Sequence, residues 1–321
     1  METKPISRRP KIAIIGAGLA GLTLARALKK FASATIFEKS RGVGGRLSTR
    51  YAGAFEFDHG AQYFTARDPD FIEFTDQMRS AGVVALWQFD GSHGKLPFVA
   101  TPRMNALGKY LVKGFEIELA TQIAKLRREG DGWMLTDEGG AAHGPFDWVV
   151  SAAPAPQTAM LLPEAFQHAE TVSNVRMAAC FTLMLGFDQP IDLPWRGSRF
   201  EKGPVGWVAL NSSKPDRPAG FSVVVQSNNE WADANIERDQ ADVEAALVDA
   251  SAQLVGGAIK TASHRQLHRW RYAATPTPAG VDCLIDNENC LAACGDWCLG
   301  SRVEAAYLSA TRLAAELRSR L

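Results

Sequence analysis

The sequence predicts an α/β fold: a Rossmann-type dinucleotide-binding domain interrupted by an inserted, mainly antiparallel second domain. Three observations carry that expectation. The apolar run KIAII, residues 11–15, leads into GAGLAG, after which Leu and Ala recur at helical spacing to Leu28 and a second apolar run, ATIF, closes on Glu38. From 161 to 275 the texture changes to successive strand-like runs. After 276 the first texture returns, with a short apolar strand, a tight turn and one amphipathic helix.

Composition bounds the function. A chain of 321 residues, 46% of them hydrophobic, suits about two domains with a substantial core. Lys and Arg number 35 and Asp and Glu 35, so no global positive field exists to hold nucleic acid or an anionic membrane, and the expected partner is a small molecule. No apolar stretch approaches the roughly 18 residues a membrane span needs. METKPISRRP lacks the apolar core of a leader, so a cytoplasmic protein is expected. Cys180, Cys283, Cys290, Cys294 and Cys298 make an odd count without a CxxC pair, which argues against a disulfide framework and against a metal site. Within CLAAC, Cys294 reads as a small hydrophobe in a buried strand.

Past residue 100, Thr101 reads as an N-cap and Pro102 as the first helical position, with Met104, Leu107 and Leu111 on one face. EIELATQIAKL and GWMLTD, separated by REGDG, read as a hairpin, and DWVVSAAPAP as a buried strand stopped by its prolines. The inserted part contains strands AACFTLMLGF, VGWVALN, FSVVVQS and SHRQLHRWRY, and a helix from about 238 to 255 closed by Gly256 and Gly257. The last segment is strand CLAAC, turn GDW and a helix with Val303, Ala306, Tyr307, Ala310, Leu313, Ala314 and Leu317 on one stripe. The expected division is a discontinuous nucleotide domain of residues 1–65, 98–160 and 276–321, and a substrate domain of 66–97 and 161–275.

Gly16, Gly18 and Gly21 satisfy GxGxxG between a strand and a helix. That spacing provides a tight turn, close backbone approach to a pyrophosphate and close helix packing, while Glu38 stands where an acid accepts hydrogen bonds from ribose hydroxyls. EKSRGVGGR, residues 38–46, then adds glycines and two arginines that a nicotinamide site does not need, and that suit a longer cofactor running deeper into the protein.

With Glu38, Arg41, Gly44, Gly45 and Arg46, and with Gly42 and Val43 between the first arginine and the glycine pair, the chain resembles the flavin amine oxidase superfamily, whose second signature is an acid, a short spacer and RxGGR. DHGAQYF at 58–64 and GDW at 295–297 followed by RVEAA are similar to its flavin-contacting segments. SRGVGGRLSTR, DHGAQYFTARD, HRWRYA and CGDWCLGSRVEAA together have the form of the renalase-like branch. The resemblance implies a GR2-like FAD-binding domain and non-covalent FAD, since Cys298 does not stand in the SGGCY-like setting of covalent relatives. The cofactor residues it implies are Gly16, Gly18, Ala20, Gly21, Glu38, Lys39, Arg41, Gly44, Gly45, Arg46, Gln62, Tyr63, Phe64, Ile123, Gly295, Asp296, Val303 and Ala306. The activity it implies is oxidation of 2- and 6-dihydro isomers of NAD(P)H, with O2 reduced to hydrogen peroxide.

Period-two spacing in SHRQLHRWRY puts His264, Gln266, His268, Trp270 and Tyr272 on one strand face and Arg265, Leu267, Arg269 and Arg271 on the other. Tyr63, Trp207, His268 and Trp270 are therefore the candidate substrate-positioning residues, with Asn211 near Trp207 and one of the two histidines facing the ring. Hydride transfer needs a donor carbon held about 3 to 3.5 Å from its acceptor and water excluded, so no essential acid or base is expected. Lys214 is the candidate for a lysine near the flavin. Amine oxidation or desaturation on the same fold, and a flavin-binding role without turnover, are the competing expectations. With one GxGxxG only, no dedicated NADPH domain is expected.

Overall fold

The computed structural model describes residues 8–90, 94, 96–218 and 220–321. The opening seven residues, on which the absence of a leader was argued, lie outside that description. The amino-terminal βαβ unit comprises β1 (Lys11–Ile15), α1 (Leu19–Leu28) and β2 (Ser33–Glu38). A ribbon of β3 (Thr49–Ala52) and β4 (Phe55–Asp58) follows, then α2 (Pro69–Ser80) and a second ribbon of β5 (Val84–Leu86) and β6 (Phe98–Ala100). Asp68 caps α2 by accepting the Asp70 N–H, and Pro69 occupies its first turn.

The helix expected from Pro102 begins later: α3 spans Ala106–Leu111. The reason is that the Asn105 N–H, which a helix from Pro102 would give to the Thr101 carbonyl, goes to Thr49 Oγ1, while the Thr101 hydroxyl donates to Gly82 O rather than capping. Met104, Leu107 and Leu111 are buried as the pattern required. The run EIELATQIAKL is two strands rather than one. Its first part, β7 (Glu116–Leu119), pairs parallel with β2, and its second, β8 (Ile123–Glu129), forms the expected hairpin with β9 (Gly132–Asp137). The break falls at Ala120, whose φ of 53° cannot continue a strand. An element not expected from the sequence, β10 (Ala142–Phe146), completes that meander before β11 (Trp148–Ser151).

After α4 (Ala155–Leu161) and α5 (Ala169–Ser173) comes the antiparallel unit: β12 (Arg176–Phe187), β13 (Gly197–Arg199), β14 (Val205–Leu210), β15 (Phe221–Ser227), α6 (Asn229–Asn235), α7 (Gln240–Val255) and β16 (His264–Thr277). Asp239 caps α7 and Gly256, at φ 96°, ends it. The chain closes with β17 (Leu284–Asp286), β18 (Leu291–Ala293), α8 (Asp296–Leu299), where a turn had been expected, and α9 (Val303–Arg318).

Strand order is β17-β18-β11-β1-β2-β7 in the six-stranded sheet and β13-β14-β15-β12-β16 in the five-stranded one. In the first, β1 lies between β2 and β11 with parallel neighbours, so both faces need covering, and α1 and α9 pack together against one of them. Segment 66–97 shares this core, through Phe71, Phe74, Met78, Val84 and Trp87. The second sheet buries Phe181, Leu183, Leu185, Val223 and Val225 against α7 residues Val243 and Leu247. Its other face carries Met184 and Val224 against Phe57, so β4 lies across that sheet and the segment after it runs between the two units. Among the described residues no helix is long and apolar enough to cross a membrane.

Candidate active site

The nucleotide cradle follows from steric demands at the first motif. Gly16 adopts φ 109°, and a Cβ on Gly21 would stand 2.0 Å from the Gly16 carbonyl oxygen, so α1 approaches the turn only because Gly21 has none. Space beside the Gly18 Cα is clear to 4 Å, and no side chain caps α1, which leaves its first amide donors free for an anion. Ala20 is buried within this helix. The buried Glu38 carboxylate accepts the N–H of Ala17 at 2.9 Å and that of Ser40 at 2.8 Å.

The second motif docks on the first: the Gly44 N–H donates to Ala17 O at 2.8 Å, and Gly45 lies against Gly18. Arg46 reaches across the fold to Asp296 in a bidentate pair of 2.5 and 2.9 Å, and also donates to Ala273 O at 3.1 Å. Residues from opposite ends of the chain thus meet. Lys39 and Arg41 are exposed at the rim. Gly295 is the N-cap of α8, and its N–H donates to Ser309 Oγ. Val303 and Ala306 are half-buried in the first turn of α9, where Glu304 is buried and accepts the N–H groups of Arg67 and Asp68. Ile123 shares an apolar cluster with Phe37. Phe64 turns its ring between Phe71 and Phe98 in the core.

The DHG segment organises the region between the units. Asp58 is fully buried and binds Lys214 Nζ at 3.2 Å and Arg217 Nη2 at 2.6 Å. Burial pushes its pKa up, but Lys214, Arg217 and the Met104 N–H outweigh that and hold it at about 2. The Lys214 ammonium, which also donates to Gln62 Oε1 at 3.2 Å, is drawn down to about 8 by burial against the opposing pull of Asp58.

His59 stacks on Trp270 at 5.2 Å and meets His268 edge-on at 4.9 Å, while His268 and Trp270 are 4.4 Å apart. The Trp270 indole N–H donates to His59 O at 2.9 Å and fixes the stack. Burial first, then His268 and Arg50, push His59 down to about 3, and burial with Arg50 pushes His268 to about 4. Both imidazoles are neutral at pH 7. His264 instead lies over Phe57 at 5.7 Å, so of the two histidines His268 is the one beside Trp270. Tyr63 and Trp207, 5.5 Å apart, join a separate cluster with Trp87 and Phe89. Asn211, buried nearby in sequence, donates to Glu56 O.

His59, Arg50, Asp58 and Arg217 were not among the residues singled out from the sequence. Asp58 and His59 lie within DHGAQYF and Arg50 ends SRGVGGRLSTR, so all three could have been found there, whereas nothing in KPDRPAG marks Arg217. All five thiols are free; burial raises Cys180 to about 11 and Cys298 to about 12, which makes both inert. Among the described residues no three His, Cys, Asp or Glu side chains are grouped to hold a metal ion.

Residues 14–78 match the NAD(P)-binding Rossmann-like domain, and residues 79–318 match the flavin containing amine oxidoreductase. Renalase of Mus musculus is 23% identical over 292 residues, covering 82% of this chain and 84% of the mouse protein. Among solved structures, a proposed protoporphyrinogen oxidase from Exiguobacterium sp. 255-15 has a TM-score of 0.76 at 12% identity, covering 98% of this chain and 100% of its own. Wild-type putrescine oxidase bound to putrescine has a TM-score of 0.67 at 14% identity, covering 98% and 100%. These two likenesses establish the fold alone. The match over residues 79–318, with the mouse relative beside it, places the chain in the flavin containing amine oxidoreductase family, on its renalase-like branch, as a flavin oxidoreductase.

Proposed function

We propose that the protein is a cytoplasmic FAD-dependent oxidase that takes hydride from the 2- and 6-dihydro isomers of NAD(P)H and passes the electrons to O2. The net reaction is dihydro-NAD(P) plus O2 and a proton to NAD(P)+ and hydrogen peroxide. The observation that carries this reading is the wall of His59, His268 and Trp270, whose two imidazoles are held uncharged. A neutral aromatic surface suits a planar dihydropyridine that becomes cationic as hydride leaves, and no group in the wall is poised to take a proton at pH 7.

The residues present fit FAD. The clear side of Gly18 and the uncapped start of α1 suit a pyrophosphate, and Glu38 suits ribose hydroxyls. Arg46 and Asp296 would hold the ribityl-phosphate stretch, and Gln62, Tyr63, Val303 and Ala306 the ring end. When bound, FAD supplies the hydride acceptor at N5 and the route of electrons to oxygen. The chain's own part is to orient the donor ring with His268 and Trp270, to exclude water, and to require no acid or base. The division into an FAD unit of 1–65, 98–160 and 276–321 and a substrate unit of 66–97 and 161–275 belongs to the same proposal.

An amine substrate would want a free aromatic cage for its cation. Here Lys214 Nζ already sits 5.4 Å over Trp87, and Arg199 6.0 Å over Trp207, which speaks for the dinucleotide. Anaerobic mixing of the yellow protein with 2-dihydro- or 6-dihydro-NAD(P), NADPH and putrescine, following loss of the oxidised-flavin band, tests this. Bleaching by the isomers, with peroxide on readmitting air, is the expected result. Bleaching by putrescine alone would make it an amine oxidase, and no bleaching by any donor would leave a flavin-binding protein without turnover.

A further inference from the structure

We propose that Arg50, His59 and His268 form an anion-binding subsite that holds a phosphate group of the substrate; the identity of the phosphate carrier rests on the dinucleotide reading above. Arg50 lies in β3, opposite Phe57, and its Nη2 stands 3.4 Å from His268 Nδ1. Guanidinium can only donate, so His268 Nδ1 accepts and its proton sits on Nε2. The Arg50 Nε–H is buried and has no hydrogen-bond partner, and among the described residues no carboxylate lies within ion-pair reach of this side chain.

His59 supplies the second, independent observation. It is 5% exposed, and its Nδ1 is buried without a hydrogen bond. Its Nε2 faces the Ser48 hydroxyl at 3.4 Å, and when Ser48 donates in that contact the proton of neutral His59 sits on Nδ1. A guanidinium with an unfilled Nε–H, beside two imidazoles of which one has an unpartnered ring nitrogen, asks for an oxyanion.

The local charge agrees. Asp58, the carboxylate adjoining His59, is already held by Lys214 and Arg217, and Glu56 by Arg103, which leaves the Arg50 charge without a carboxylate partner. Burying such a charge is unfavourable unless a ligand brings the missing negative charge. A dinucleotide does so with its pyrophosphate while its ring lies on Trp270 and His268. A protonated amine brings no negative charge to Arg50.

The test uses the flavin-loaded protein and its Arg50→Gln and Arg50→Lys variants, titrated with inorganic pyrophosphate, NAD+, NADP+ and nicotinamide riboside, and read by perturbation of the flavin spectrum. Arg50→Gln is expected to weaken pyrophosphate, NAD+ and NADP+ by about ten- to a hundredfold, the worth of a charge-assisted hydrogen bond, and to leave the riboside, which carries the ring without phosphate, within about twofold. Arg50→Lys recovers part of the loss. A larger loss for NADP+ than for NAD+ would place the 2′-phosphate in the subsite, and equal losses the pyrophosphate. Equal loss for all four ligands, no loss for any, or loss of flavin with unchanged anion affinity in the loaded fraction would overturn the proposal. Should Arg50→Gln not fold, added salt must weaken pyrophosphate and NAD+ but not the riboside on the native protein, or the subsite is rejected. If the dihydro isomers fail to bleach flavin while pyrophosphate still binds through Arg50, the oxidase reading falls and the subsite stands.

Discussion

Replacing Asp58 by Asn removes one charge from the centre of the molecule without changing its shape. The carboxylate is inaccessible to solvent and gathers donors from Thr49 Oγ1 at 2.9 Å, the Met104 N–H at 3.0 Å, Lys214 Nζ at 3.2 Å and Arg217 at 2.6 and 3.1 Å. An amide in its place leaves two buried cations unopposed and turns its own NH2 toward one of them. Breaking a buried pair in this way costs about 3–5 kcal/mol. For a chain of 321 residues, with about 2.1 cal/mol/K of unfolding entropy per residue, that lowers Tm by about 4–7 °C. The assay is thermal unfolding of the flavin-loaded protein at neutral pH. Adding Lys214→Met to Asp58→Asn removes one of the stranded cations and returns about half of the loss. A drop below about 1 °C for the single variant, or a double variant less stable than the single one, would refute this account of the cluster.

Two further outcomes follow from the cradle and the ring wall. Gly21→Ala places its methyl against the Gly16 carbonyl and lowers both Tm and flavin content, whereas Gly18→Ala meets no protein atom and lowers flavin content alone, read as the ratio of visible to ultraviolet absorbance; equal Tm losses in both would remove the cofactor from that space. Acid stability tests the histidines: the folded pKa of His59 is about 3 against 6.5 unfolded, so the unfolded chain binds the extra proton between those values and stability is lost as pH falls through that window. By pH 4 the loss from His59 alone is about 3 kcal/mol, seen as a falling urea midpoint that is shallower in His59→Phe, and a midpoint independent of pH between 6.5 and 4 would contradict the neutral wall.

What could be read from the sequence was what local geometry decides. The βαβ unit, the β8–β9 hairpin, α7 with its terminal glycine and the four long antiparallel strands each carry their own periodicity and stop signals. Period two alone also sorted His268 and Trp270 from Arg269 and Arg271, which turn outward to the Ile236 carbonyl and to Glu237. The failures lie where a distant group takes over a local one. Thr49 draws off the Asn105 N–H that a helix from Pro102 would need, and Glu304 is buried in α9 because the Arg67 and Asp68 amides need an acceptor. Arg50, His59 and Asp58 stand in legible motifs, but the partners that give them their chemistry, His268, Lys214 and Arg217, lie more than 150 positions away.

The strand order of the six-stranded sheet bears on how the chain is made. β1 and β2 leave the ribosome first, but the sheet they belong to is not complete until β18 has settled beside β11, and α1 keeps an uncovered apolar side until α9 arrives against it. The antiparallel unit, by contrast, is continuous from Arg176 to Thr277 and holds all its pairing partners within itself. Folding therefore runs out of step with synthesis: the middle of the polypeptide can close on its own while its beginning waits for its end. A nascent chain halted before α9 exposes Leu22, Ala25 and Leu28 to any passing chaperone, and its dinucleotide turn, although fully translated, has no finished domain to stand on.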